Sequence, residues 1–148
     1  MNTKIAGLIA AVAILAVAGV AGFQAVRASG GGAVTDVKAE VQLTFPTDAL
    51  ASGKAKSEQR TGGTPRTRFA IEVEDVSWQP GPYSVRITHA GTPVADSPVT
   101  LDVDSFGAGE LELDTQDGAT VPVAVAGDVV EVLDASSTPI ASGALVAK

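Results

Sequence analysis

From Val37 to Ala147, apolar side chains recur at every second position in short runs broken by Gly and Pro. A period of two places alternate residues on opposite faces of an extended chain, which a helix cannot do. Val37, Ala39, Val41, Leu43 and Phe45 alternate with Lys38, Glu40, Gln42 and Thr44. Further runs follow at 53–60, at Phe69, Ile71 and Val73, and at Tyr83, Val85, Ile87 and His89. They continue at Val99, Leu101 and Val103, at Leu111 and Leu113, at Val121, Val123 and Val125, at 129–133 and at 140–147. Thr61–Pro65, Gln79–Pro82, Gly91–Pro93 and Asp117–Gly118 supply turn chemistry between them. Eight or nine short strands at regular spacing predict an all-β fold, a small antiparallel β-sandwich of about eight strands or a small barrel. Val41, Leu43, Phe69, Ile71, Val85, Ile87, Leu111 and Leu113 are its expected core. A short echo, Leu50–Gly53 against Ile140–Gly143, predicts a pair of equivalent strand starts.

Upstream, residues 5–23 carry no charge and follow Lys4. A basic start and an apolar run are the marks of an export signal, and the run is also long enough to span a bilayer as a helix. Its Ala and Gly content lowers the transfer energy, and small residues around Val26–Ala28 offer a cleavage site, so a cleaved signal is favoured over a retained anchor. Three parts are expected: a signal peptide or membrane anchor at 1–28, a flexible linker at 29–35 and a β domain at 36–148. The exported part carries eight basic and 17 acidic side chains, a net charge of −9. Such a field repels a phosphate backbone, so no nucleic-acid partner is expected. The membrane enters only through 5–23, if that segment stays uncleaved.

The 148 residues include no Cys and a single His, which removes thiolate chemistry and leaves His89 alone for imidazole chemistry. No nucleophile-elbow pattern accompanies His89, so a small hydrolase is the last of the readings and a non-enzyme the first. Asp102 and Asp104 share one strand face, as do Glu110, Glu112 and Asp114. Carboxylates in rows attract calcium, but no loop pattern fixes a cage, and a solvated acidic face is the expectation, with no cofactor. Trp78 and Tyr83 stand beside the Pro80–Gly81 turn and are the candidate binding residues, for a sugar ring or a protein. Tyr83 also occupies the position where a hydroxyl holds the backbone at a sandwich corner. Lys54, Lys56 and Arg60 form a positive row. That row is expected either to meet the Glu110–Asp114 row within one molecule or to drive head-to-tail self-association.

The stretch Gln79–Ile87, QPGPYSVRI, resembles the Pro-Gly-Tyr strand of bacterial immunoglobulin-like and prealbumin-like extracellular domains. Gly91–Leu101 with Asp114–Gly118 is similar to the pattern of carboxypeptidase-regulatory-like sandwiches. The resemblance covers 79–118. It implies an exported, non-catalytic module with a structural, adhesive or protein-binding role in the periplasm, at the cell surface or outside the cell. It carries over no catalytic residue. A membrane-tethered module binding carbohydrate or calcium is the alternative.

Overall fold

The computed structural model describes residues 33–148. The expected signal or anchor, and the linker as far as residue 32, lie outside the described residues. Ten strands follow one another: β1 (Thr35–Gln42), β2 (Ser52–Thr61), β3 (Arg66–Glu74), β4 (Gly81–His89) and β5 (Thr92–Pro93). Then come β6 (Val99–Val103), β7 (Gly109–Asp114), β8 (Val129–Leu133), β9 (Pro139–Ala144) and β10 (Val146–Ala147). All pairings are antiparallel, in the order β10-β1-β2-β3-β7-β6-β4-β8-β9, with β5 on the margin of β4.

That order nearly closes on itself. β9 and β10 form one run interrupted at Leu145: β9 pairs with β8, while β10 pairs with β1. Thr44 and Ser142 exchange backbone hydrogen bonds of 2.8 and 3.1 Å across the same seam. The all-β expectation holds, but two separate sheets are replaced by one sheet wrapped nearly into a barrel. The reason is local. Asp104–Ala108 is too short a turn to release β7 from β6, so Val103 stays paired with Gly109, and the last run of the chain uses both of its edges. The sequence echo brackets this closure. The Gly53 carbonyl accepts from Leu43 N–H on one side of the end of β1, and Ser142 pairs with Thr44 on the other. Gly143 suits this close approach, because an added Cβ would lie 2.5 Å from Val41 Cγ2 and force that side chain to move.

Two crossovers span the ends. The β3–β4 link crosses the end where β1 finishes, called the far end below. The β7–β8 link crosses the near end, where β1 begins. The run Val121–Val125, expected as a strand, is not one. Thr115–Asp117 forms a 3-10 turn, and 119–128 then folds over the near end, burying Val121, Pro122 and Ala124. Pro122 lacks a ladder donor. The buried Ser57 hydroxyl and Gln59 amide instead draw the Ala124 carbonyl inward, at 2.7 and 3.0 Å.

Phe69, Ile71, Val85, Ile87, Leu101, Val130 and Val132 fill the interior. Leu43 is buried as expected. Val41, Leu111 and Leu113 are only half-buried against this core. For the two leucines the cause is the seam beyond β7, where one residue pair alone joins β7 to β6. The Tyr83 hydroxyl donates to the Gln79 carbonyl at 2.7 Å, the corner bond expected of it. Tyr83→Phe is expected to cost about 1 kcal/mol in urea unfolding. An unchanged midpoint would show that this bond adds no stability.

Candidate binding surface

The outer face of β1, β2, β3 and β7 is built from the residues that alternate with the core. Register sets Lys38, Glu58, Arg68 and Asp114 side by side across the four strands, with alternating sign. Opposite charges on neighbouring strands stabilise a sheet, so this row favours the observed register. Lys38 lies 3.5 Å from Glu58, and Arg68 Nε lies 3.3 Å from Asp114 Oδ2. Arg60 pairs with Asp36, Lys54 with Glu72, Arg68 also with Glu112, and Lys148 with Glu40. The positive and negative rows thus share one face of one molecule. They do not abut, because β3 runs between them and mediates through Arg68 and Glu72.

Asp114 anchors the lower edge of this face. It is 3% exposed, accepts from Arg66 Nε at 2.9 Å and caps the 3-10 turn through Gln116 N–H at 2.9 Å. The Arg66 guanidinium, ahead of the Gln116 bond, holds its carboxyl below the ordinary carboxylate value. A carboxyl lowered in the folded state adds stability above its unfolded pKa and loses it as pH falls through the folded one. Thermal stability is therefore expected to hold above about pH 4 and to drop below it. Asp114→Asn should flatten that drop. An equally steep acid limb in the variant would remove Asp114 as its source.

In the neighbouring row the small Ala70 stands between Lys56 and Glu112. Its methyl leaves a depression of about 570 Å³, rimmed by Glu40, Lys54, Lys56, Glu110, Glu112 and Lys148. Among the described residues, Lys56 and Glu110 make no ion pair. Both signs of charge, two of them uncommitted, line an open floor.

The residues singled out from the sequence lie elsewhere or are already engaged. The Trp78 ring sits 5.0 Å from Tyr83 and 5.9 Å from Phe45, tilted against both and half-buried at the far end. Asp104 spends its carboxylate on Phe106 and Ala108 N–H groups. Asp102 and Glu110 line a second depression, while Glu112 and Asp114 are held by arginines. Among the described residues no three acidic or imidazole side chains are placed to hold a metal ion.

His89 has a partner that sequence reading missed. Its Nδ1 lies 2.5 Å from Asp128 Oδ1; the carboxylate is 1% exposed and the imidazole 67%. Asp128 Oδ2 accepts from Val125 N–H at 2.9 Å, which fixes the carboxylate within the 125–128 turn. The Gly127–Asp128 turn signal was visible in the sequence, but its closeness to His89 depends on pairing of β4 with β8. A carboxylate orients an imidazole in this way in a catalytic triad. Among the described residues no hydroxyl hydrogen-bonds to the ring, and the pair ties the 119–128 segment to the end of β4. Comparison with protein-family models and with curated proteins finds no match to this chain.

Proposed function

We propose that the chain is an exported, non-catalytic module with a structural, adhesive or protein-binding role in the cell envelope or extracellular space. It recognises its partner through the outer face of β1, β2, β3 and β7. The basic-plus-apolar start supports export. The depression over Ala70, with Lys56 and Glu110 uncommitted on its rim, carries the binding reading. Among the described residues, large apolar side chains fill the interior and the 119–128 segment covers one end, which leaves the outer face as the surface open to a partner. An unidentified protein or envelope component of mixed charge is the partner such a rim fits, through complementary pairs that set orientation.

The test is fractionation of cells making the full chain, with intact mass of the recovered protein. Recovery outside the cytoplasm, and weaker retention of a Lys56→Glu variant on washed envelopes, are expected. Lys56 is exposed, so the fold should persist in circular dichroism. Full-length soluble protein in the cytosol at steady state would refute export. Equal retention of the variant would refute this face.

A further inference from the structure

Phe106 is 88% exposed at the tip of the β6–β7 hairpin, and Leu50 is 84% exposed on the neighbouring β1–β2 loop. Single exposed apolar residues are ordinary. What sets these two apart is how firmly they are held. The Asp104 carboxylate accepts from Phe106 N–H at 2.8 Å and Ala108 N–H at 3.0 Å, and Asp104 N–H donates to the Ala108 carbonyl at 2.8 Å. Val76 N–H donates to the Gly107 carbonyl at 3.1 Å, which ties the hairpin to the β3–β4 crossover. The next crossover residue, Ser77, gives its hydroxyl and its N–H to the Asp48 carboxylate, at 2.8 and 2.6 Å. Three loops are thus bonded into one platform, and both apolar side chains project from it. Folding has already met the cost of ordering that backbone, so a partner gains the burial of an aromatic ring without it.

The surroundings specify the partner's charge. At the foot of the hairpin lies a depression of about 390 Å³ whose charged lining residues are Glu72, Glu74, Asp102, Asp104 and Glu110. Among the described residues, no basic side chain lines it, and of the five only Glu72 is ion-paired, to Lys54. We propose that this far end is a docking surface for a cationic protein segment, which covers the Phe106 ring with apolar side chains and sets Lys or Arg into the acidic depression. Aromatic anchors of this kind dominate interface energetics, and an acidic surround steers a basic partner while repelling anionic lipid and nucleic acid. The surface adjoins the face over Ala70, sharing Glu72 and Glu110 with it, and is centred at the end opposite the start of β1.

The experiment measures fluorescence polarisation of three labelled peptides with the full chain: one of lysines and leucines, one with glutamate for lysine, one with serine for leucine. Only the lysine–leucine peptide is expected to bind. Phe106→Ala should weaken it by about tenfold or more. Asp102→Asn with Glu74→Gln, neither of which lines the depression over Ala70, should weaken it and flatten its salt dependence. The exposure of these side chains leaves the fold intact, as circular dichroism will register. Failure of the lysine–leucine peptide to bind, equal binding of either control peptide, or indifference to Phe106→Ala overturns the proposal. Sedimentation showing self-association that Phe106→Ala abolishes would overturn it in favour of a second copy of the chain.

Discussion

Phe69→Ala is expected to destabilise the domain by about 3–5 kcal/mol, which is much of the stability such a domain possesses. The ring is fully buried in β3, the strand that joins β2 to β7, with Ser57 and Leu113 as its register neighbours. Truncation removes the largest fully buried side chain and leaves a cavity that the hydrogen-bonded strands around it restrict from closing. Urea unfolding measures the loss. A midpoint lowered with an unchanged slope fits a two-state loss of core packing. A change below about 1 kcal/mol would place the ring outside the core.

Gly107→Ala is the second large effect. Gly107 has φ +78°, and an added Cβ would lie 2.2 Å from the Val76 carbonyl oxygen, a backbone atom that cannot rotate away. Left-handed strain and overpacking together are expected to cost about 2–4 kcal/mol. The damage should be local as well as global. Amide exchange of Val76 and Ala108 should accelerate more than that of Val85 or Val130 in the core. A variant as stable as the parent, with those amides still protected, would show that the hairpin does not rest on the crossover.

The sequence carries two kinds of information about this fold. Strands were legible wherever a wet face alternates with a dry one, as in β3 and β4, because burial on one side writes a period of two. The segment 121–125 carries the same period without being a strand. There Pro122 and Ala124 turn inward to cap an end, guided by Ser57 and Gln59 on a strand more than sixty residues earlier. Barrel closure was equally hidden, since period two fixes faces and not neighbours. The rows of charge were legible, and their place on one face, with β3 between them, follows from the strand order. The His89–Asp128 pair and the gap over Ala70 were not, because both arise from register between strands distant in sequence. Phe106 carries no signal of exposure in the sequence, since an aromatic residue beside a turn can equally well fold inward. Asp104, whose carboxylate holds the hairpin, was legible only as one of an acidic pair with Asp102, because its bonds form in the turn after β6.

The central claim is that function resides on the outer face over Ala70 rather than inside the barrel. Site-specific photo-crosslinking in the full chain, in its native envelope, tests it most directly. A photoreactive side chain at Ala70 is compared with one at Thr100, on the outer face of β6. Both positions point outward, so neither disturbs the core. A discrete adduct from position 70, lost on Lys56→Glu and absent from position 100, is the expected result. Adducts of equal yield from both positions, or none from position 70, would contradict the account.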